Sequence, residues 1–392
     1  MATRRTAMTS KERILATVRG EAVDHVPLCF EGVGHPFVLF ANRLYPDPFA
    51  RAKYYLDLGV DTAVSIHDLP ANAGTYQTRQ WTERRPGEAA EIAITEYVTD
   101  AGTLRQEVRR TGDYHHPYPP LFSDHHVPPS RSVRYLIRTA DDLDALERIF
   151  QPPAGEQLAA YRRDVAQARR FCDRHGLLLA GTLWGVGDPL IWMTGIEPLL
   201  MMAMEQPQAM ERFVAIVSAW NQARLEIHLD AGIDLIYRRG WYESTDFWSP
   251  SLYRQFFLEP LRREIAATHQ AGCVYTYIMN TGAMPLLGMF GELGFDIYSN
   301  IDPMAGHTDL GLIKRTVGGQ MTLYGGVNNN HIVERGTPQQ VRAAVDDAFD
   351  ALAPGGRFIL GPGDSILADS DVCRRNFDTM IDAWKARRST PR

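Results

Sequence analysis

Side chains suited to acid–base chemistry and ligand binding recur along the chain directly after short apolar segments. They are the carboxylates, carboxamides and aromatic residues Glu31, Asp68, Trp184, Trp241, Tyr242, Glu243, Asp246, Tyr277, Asn280, Asn300, Asn328 and Asp364. Carboxylates gathered in one place can bind a metal ion, hold a cation or transfer protons. Asn and Asp are also preferred helix caps, so capping is the competing interpretation for any single one of them. The recurrence of the whole set favours a functional site.

The elements that must position these residues are strands with the composition of a buried sheet. Eight segments qualify: 25–31, 60–66, 177–184, 233–238, 274–280, 295–300, 321–327 and 357–361. Most are apolar without alternation, which is typical of strands covered on both faces. Helical stretches separate them, so the pattern predicts a single (β/α)8 barrel over residues 1–392. Active-site residues of this fold lie at the C-terminal ends of the strands, which would bring the polar set together.

The alternation is broken once, between the second and third predicted strands. Residues 67–150 are therefore predicted to be an insertion that covers the barrel mouth. Within it, 92–100 and 102–109 are expected to pair as a β-hairpin, and the His- and Pro-rich segment 115–129 is expected to be irregular. The four histidines of that segment have no recognised ligand spacing, so a packing or solvated role is favoured over a metal site.

The composition excludes several classes of protein. The 392 residues are 45% hydrophobic and 22% charged, and the net charge of −6 argues against a basic nucleic-acid-binding face. Four widely separated cysteines are typical of reduced thiols in a cytoplasmic protein. No signal-peptide core, membrane-spanning run, Walker A, dinucleotide-binding or Gly-x-Ser-x-Gly motif occurs. We therefore expect a cytoplasmic protein with no membrane or nucleic-acid partner.

Several motifs, in order along nearly the whole chain, carry a family resemblance. They are KERILATVRGEAVDHVP at 11–27, MTGIEPLLMMAMEQP at 193–207, SPSLYRQFF at 249–257, GGVNNNHIVERGTPQQV at 325–341 and GPGDSI at 361–366. Taken together, the chain resembles the uroporphyrinogen decarboxylase superfamily. That resemblance implies the same barrel, and either decarboxylation or the movement of methyl groups between corrinoid proteins and other acceptors. It also implies a homodimer as one oligomeric state.

The catalytic residues implied by the resemblance are only partly present. Asp68 stands where the decarboxylase has its essential aspartate, but residues 29–36 contain Glu31 and none of the arginines that bind the substrate's carboxylates. The zinc ligands of the methyltransferases correspond to Tyr277, Met279 and Asp364. Tyrosine and methionine are poor zinc ligands, so the zinc site is expected to be lost.

The preferred hypothesis is a methyltransferase or demethylase that acts on a small methylated or methoxylated compound. A corrinoid protein or a tetrahydrofolate would be its methyl partner. Acid–base roles are assigned to Asp68, Glu243, Asp246 and Asp364. Substrate contacts are assigned to Glu31, Trp184, Arg238, Trp241, Tyr242, Tyr277, Asn280, Asn300 and Asn328. If a metal is bound, Glu31, Glu243 and Asp364 offer hard oxygen ligands.

Two alternatives stay open. The first is a lyase that decarboxylates a tetrapyrrole or a smaller carboxylic acid, for which Arg238 and Arg239 could supply the cation that a developing carbanion needs. A salt bridge at the rim is the competing interpretation of those arginines. The second alternative is a barrel that binds a ligand without catalysis.

Overall fold

A computed structural model of the chain describes residues 7–34, 36–66 and 74–389. The strands of these residues, numbered in chain order, are β1 (Ala63–Ile66), β2 (Gln77–Glu83), β3 (Ile92–Thr99), β4 (Gly102–Arg109), β5 (Ser132–Arg134), β6 (Leu178–Leu183), β7 (Leu235–Arg239), β8 (Val274–Ile278), β9 (Ile297–Ile301), β10 (Thr322–Val327) and β11 (Phe358–Pro362).

The α-helices of the same residues are α1 (Ser10–Arg19), α2 (Leu39–Leu44), α3 (Pro48–Asp57), α4 (Asp142–Ile149), α5 (Gly155–His175), α6 (Gly187–Thr194), α7 (Ile196–Glu205), α8 (Pro207–Asp230), α9 (Pro250–Phe256), α10 (Leu258–Gln270), α11 (Leu287–Leu293), α12 (Leu310–Val317), α13 (Pro338–Leu352) and α14 (Asp371–Arg387). Short helical turns cover Asp124–His126, Trp241–Glu243, Met284–Leu286 and Asn329–Val333. Each helix in the described part of the chain is too short or too polar to cross a lipid bilayer.

The chain divides into two units. The parallel-sheet unit contains the described residues of 1–68, 161–183 and 226–392, and the antiparallel-sheet unit contains those of 69–160 and 184–225. The prediction of a single domain over the whole chain stays a prediction.

The parallel-sheet unit is built on seven strands in the order β1-β6-β7-β8-β9-β10-β11. Every neighbouring pair is parallel, and the side chains of β8, β9, β10 and β11 are buried along their whole length. Seven of the eight predicted strands are thereby confirmed, and the absence of alternation in them has the expected cause. Because all seven run in one direction, their C-terminal ends lie along one edge of the sheet.

The prediction that residues 25–31 form a regular strand is wrong. Only isolated parallel bridges occur there, from Leu28 to Leu360 and from Cys29 to Asp61. Pro27 has no N–H to extend the ladder, although its carbonyl oxygen accepts a bond of 2.9 Å from the Leu360 N–H. The segment still supplies core side chains, since Cys29 and Val33 are fully buried.

The core of this unit is one cluster that draws a side chain from nearly every strand. It comprises Ile14, Val18, Cys29, Val33, Ala63, Leu178, Ala180, Leu235, Tyr237, Val274, Ile278, Ile297, Tyr324 and Ile359. Mutual contact of side chains from β1 to β11 requires the sheet to curl. The curl therefore brings the C-terminal ends of the seven strands towards one another.

The antiparallel-sheet unit has the strand order β2-β3-β4-β5. The predicted hairpin is confirmed, because β3 and β4 pair up to Thr99 and Gly102 and leave a two-residue turn. Segment 115–129 is irregular as predicted, apart from one turn at Asp124–His126. Burial lowers the pKa of His126 to about 3, so this ring is neutral. The proposed role of 67–150 as a cover over the mouth stays a prediction.

The start of α13 is a capping box, in which side chains and backbone groups of neighbouring residues bond reciprocally. Thr337 Oγ1 accepts a bond of 3.3 Å from the Gln340 N–H, and Gln340 Oε1 accepts one of 2.8 Å from the Thr337 N–H. We expect Thr337→Ala to lower the free energy of unfolding by about 1 kcal/mol, because the Gln340 N–H at the start of the helix loses the hydroxyl that accepts its bond. Urea denaturation measures this loss. The matched variant Thr337→Ser keeps the cap, and an equal loss in that variant would contradict the explanation.

Candidate active site

A cavity of about 270 Å³ lies beside the C-terminal half of β1 and is also lined by a side chain of β7. It is lined by Glu31, Gly32, Gly34, Phe37, Asn42, Arg51, Ser65 and Tyr237. Gly32 is required in its wall: its φ is +92°, and a Cβ there would lie 2.4 Å from the Ala63 carbonyl oxygen. The chain after the first predicted strand can therefore pass against β1 only with glycine at this position.

Glu31 is held by an arginine that the sequence did not reveal. Arg51, on α3, donates from Nε to Glu31 Oε2 over 2.8 Å and from Nη2 to Oε1 over 2.9 Å. Each side chain is 11% exposed, so this two-point pair is largely shielded from water. Twenty residues and a helix separate the partners, and only a search for cations beyond 29–36 could have suggested Arg51.

Asp364 and Asn280 meet across the ends of β11 and β8. Asn280 Nδ2 donates to Asp364 Oδ2 over 3.0 Å, and the Ser365 N–H donates to Asp364 Oδ1 over 2.7 Å. Burial raises the pKa of Asp364, and the nearby Asp302 carboxylate adds to that rise. The Ser365 N–H, Asn280 and Arg239 oppose it without cancelling it. Asp364 therefore keeps its proton to a higher pH than an ordinary aspartate, as a general acid must.

Phe37, which lines the cavity, is hydrogen-bonded to the two residues that follow Asp364. The Phe37 N–H donates to Ser365 Oγ over 3.3 Å, and the Ile366 N–H donates to the Phe37 carbonyl over 2.9 Å. Arg239 lies close enough to both to lower the pKa of Asp364 and that of Tyr237, although burial above all raises the latter to about 12. We call Glu31, Arg51, Tyr237, Arg239, Asn280 and Asp364 the mouth cluster.

The loop after β7 carries three further predicted residues. The Arg239 Cζ lies 4.3 Å from the centre of the Trp241 ring, and Trp241 packs on the core. The Tyr242 carbonyl accepts a bond of 2.7 Å from Trp248 Nε1, which fixes the backbone of this loop. Asp246 is exposed and accepts a bond of 3.2 Å from Ser244 Oγ. The loop thus places an aromatic face beside Arg239 of the mouth cluster.

Arg238, Glu243 and Tyr277 form a different group. Side chains alternate along a strand, so Arg238 points away from the side that Tyr237 and Arg239 share and contacts Glu264 of α10 over 3.2 Å. Its guanidinium also pairs with Glu243, which accepts a bond of 2.6 Å from the Tyr277 hydroxyl. These side chains are at most 2% exposed. The rim salt bridge considered for Arg238 is in fact a buried one.

The remaining asparagines have distinct surroundings. Asn328 accepts a bond of 2.7 Å from the His331 N–H and donates over 2.8 Å to Asp302, which is the capping role expected of many such residues. Asn300 is buried with φ +65°, and its Nδ2 has no hydrogen-bond partner among the described residues. A left-handed residue with an unpaired buried donor is a strained feature of the kind that collects at functional sites.

Two predicted residues fall elsewhere. Asp68 lies outside the described residues. Trp184 belongs to the antiparallel-sheet unit, where its ring stacks at 6.0 Å on Phe122 and meets Trp192 edge-on at 5.3 Å. Asn280, rather than Tyr277 or Met279, is the residue after β8 that contacts Asp364.

The metal ligands considered above are not grouped. Within residues 7–34, 36–66 and 74–389, no three His, Cys, Asp or Glu side chains are arranged to hold a metal ion. Glu31 is engaged by Arg51, Glu243 by Arg238 and Asp364 by Asn280. Burial raises the pKa of Cys172 to about 12 and that of Cys373 to about 11, so these cysteines are thiols at neutral pH. The residues described do not fit a zinc–thiolate centre.

The described residues form a mixed α/β fold in which a curled parallel sheet of seven strands carries a polar cluster at the C-terminal ends of its strands. Residues 132–387 match the sequence model of uroporphyrinogen decarboxylase (URO-D). The chain belongs to the uroporphyrinogen decarboxylase family, which has methyltransferase and decarboxylase members. No curated protein shows a significant sequence match to the chain.

Two solved structures are similar to this chain. A methyltransferase from Methanosarcina mazei matches with a TM-score of 0.62 and 18% identity, covering 97% of this chain and 99% of the other. A B12-independent methionine synthase from Shewanella sp. W3-18-1 matches with a TM-score of 0.49 and 11% identity, covering 92% and 96% of the two chains. At these identities, the first match supports the fold alone.

Proposed function

We propose that this protein is a methyltransferase that removes a methyl group from a small methylated or methoxylated compound at the mouth cluster. The observation that carries the proposal is the buried carboxyl of Asp364, whose pKa is raised and whose position is fixed by Asn280 beside a cavity. Membership of a family with methyltransferases, and the fold shared with the M. mazei methyltransferase, support the same class of reaction.

The chemistry of demethylation explains why such an acid is useful. A nucleophilic acceptor forms a bond to the methyl carbon with its own electron pair, and the carbon–oxygen bond of a methoxyl group breaks with its pair on the oxygen. That oxygen is a poor leaving group unless it is protonated. We assign the proton transfer to Asp364, with Asn280 holding the carboxyl and Arg239 balancing the charge left on it.

The acceptor is supplied from outside the chain. We propose a corrinoid protein or a tetrahydrofolate, as in the hypothesis drawn from the sequence, and assign no step to zinc because the described residues do not fit a zinc site. The aromatic face of Trp241 beside Arg239 would contact the rest of the substrate. A cavity of about 270 Å³ lies just below the usual range of ~300–1,000 Å³ for ligand pockets, which favours a small substrate.

A second candidate function is supported by the arginines at the mouth. Arg239, and not the buried Arg238, lies near Asp364, and Arg51 lines the cavity. A decarboxylase of a small carboxylic acid could use Arg239 to bind the carboxylate and Asp364 to protonate the carbanion. Arg51 is already paired with Glu31, so among the described residues of the mouth cluster its charge is not available to a substrate carboxylate, and this disfavours a tetrapyrrole with many carboxylates.

The finer features of the fold are part of the same proposal. We infer that Leu28 and Cys29, bridged to Leu360 and Asp61, close the curled sheet into a barrel of eight segments. Asp68 stays a proposed catalytic residue on the strength of the resemblance, and Asp246 stays one through its position after β7. A homodimer and a cytoplasmic location likewise stay proposals.

Product analysis separates the two functions. Methoxylated, N-methylated and S-methylated small compounds, and small carboxylic acids, are incubated with the enzyme and either a reduced corrinoid protein or tetrahydrofolate. We expect a demethylated product together with a methylated acceptor. Release of CO2 without methyl transfer would favour the decarboxylase. If neither product appears while a ligand binds at the mouth, the non-catalytic alternative is favoured.

A further inference from the structure

A second cavity, of about 380 Å³, lies within the antiparallel-sheet unit. It is lined by Glu107, Val133, Arg134, Tyr135, Ile137, Arg138, Thr194 and Pro198. These residues come from β4, from β5 and the segment after it, and from the junction of α6 and α7. Neither the family resemblance nor the proposed reaction involves this cavity.

The walls of this cavity are held in place by contacts outside it. The Tyr135 hydroxyl donates to the Val127 carbonyl over 2.8 Å, and the Ile137 N–H donates to the Met193 carbonyl over 2.9 Å. The Tyr135 ring packs directly on Gly195, where a Cβ would lie 2.4 Å from a ring atom and where φ is +79°. A cavity with walls fixed in this way needs little rearrangement to accept a ligand.

The charge of the lining is positive in effect. Neither Arg134 nor Arg138 forms an ion pair with the described residues, and the one side-chain bond of Arg134 runs from Nε to the Arg105 carbonyl over 3.2 Å. Glu107 lines the same cavity, but Arg85 and Arg105 already donate to its two oxygens over 2.6 and 2.7 Å. The half-buried Arg134 and the exposed Arg138 thus lie in the lining without an ion pair to the described residues, beside a carboxylate that is already bound by two other arginines.

Thr194 adds an independent observation. Its side chain is 1% exposed and lines the cavity, yet its hydroxyl has no hydrogen-bond partner among the described residues. A buried hydroxyl is nearly always satisfied, since leaving it unpaired costs about 1–3 kcal/mol. Rotation of the side chain towards the cavity would let an acceptor atom bound there satisfy the hydroxyl.

We propose that this cavity is a binding site for the oxyanion group, carboxylate or phosphate, of a small molecule. Arg134 and Arg138 would bind the oxygens through their planar guanidinium forks, and the Thr194 hydroxyl would donate to one of them. The apolar lining from Val133, Ile137 and Pro198 would contact the rest of the ligand. This site does not depend on the reaction at the mouth cluster.

The test is direct binding of two probes, inorganic phosphate and succinate, to the full chain by isothermal titration calorimetry at constant ionic strength. We expect saturable binding of at least one probe by the wild type. Arg134→Gln and Arg138→Gln should each weaken that binding at least about tenfold, because each removes charge-assisted hydrogen bonds. Thr194→Val, which keeps the shape of the side chain, should weaken it about two- to tenfold. The probe that binds identifies phosphate or carboxylate as the ligand group.

The matched control is Arg170→Gln, which removes an exposed arginine of α5 outside the cavity. It should bind the probe as tightly as the wild type. The proposal is overturned if the wild type binds neither probe saturably, or if the cavity variants bind as tightly as the control. Methyl transfer is not the readout, so failure here is distinguishable from failure of the proposed function.

Discussion

Asp364→Asn is expected to reduce turnover by about 10²–10⁴-fold while the protein remains folded, because the variant cannot protonate the leaving group. Asparagine can still occupy the position opposite Asn280, so substrate affinity should change much less than kcat. Steady-state kinetics of the wild type and variant measure both quantities. Asp347→Asn is the matched control, since Asp347 is an exposed carboxylate on α13. Equal activity of Asp364→Asn and the wild type would remove Asp364 from the mechanism.

The pH dependence of the same variant follows from the raised pKa of Asp364. The acid form is lost as the pH rises through that pKa, so wild-type activity should fall on the alkaline side and this fall should be absent from the residual activity of the variant. Stability should respond in a related way. A carboxyl whose pKa is raised on folding destabilises the protein above that pKa, and this cost disappears on acidification. Relative to Asp364→Asn, the wild type should therefore gain stability as the pH falls.

Arg238→Met is expected to lower the free energy of unfolding by about 3–5 kcal/mol at neutral pH, the largest change in stability that we predict. The substitution leaves Glu243 and Glu264 buried without their shared cation. Urea denaturation at several pH values measures the loss. The control is Arg254→Met, which breaks an exposed pair with Glu292 and should have no measurable effect.

Acidification should restore part of the stability that Arg238→Met loses. Burial raises the pKa of Glu264, and Arg238 opposes that rise, so the pKa of Glu264 should rise further in the variant. A carboxyl with a raised pKa is destabilising when ionised and harmless when protonated. The difference in free energy of unfolding between the wild type and Arg238→Met should become smaller as the pH falls. A difference in free energy of unfolding that is small at neutral pH, or independent of pH, would show that the charge pairs of Arg238 with Glu243 and Glu264 do not stabilise the fold.

The sequence did not show that Arg238 is buried in ion pairs while Arg239 belongs to the mouth cluster. The strand positions were predictable because seven short apolar segments are strands in the structure, and the caps at Ser249 and Thr337 were predictable because capping is local. Which side chains of β7 point to which face of the sheet was not predictable. A strand buried on both faces lacks the polar alternation that would assign its side chains to one face. Arg238 was therefore preferred over Arg239 as the residue facing the ligand.

Contacts between residues far apart in the chain were also not predictable from the sequence. The bond between Glu31 and Arg51 and the bond between Asn280 and Asp364 each join residues from different elements. Asp364 was chosen from its position after the last strand, which a barrel places at the mouth. Its partner, and therefore its environment and its pKa, depended on where β8 ends relative to β11. Single residues could thus be assigned to a site from the sequence, but the contacts that determine their pKa and hydrogen bonding could not.

The most direct test of the account follows the methyl group itself. A compound that the enzyme turns over is prepared with a deuterated methyl group, and acceptor and product are analysed by mass spectrometry in the wild type and in Asp364→Asn. We predict that the label appears on the acceptor in an amount equal to the demethylated product, and that Asp364→Asn loses both. A label that stays on the substrate while the compound is converted, with CO2 as the product, would contradict methyl transfer as the function of this protein.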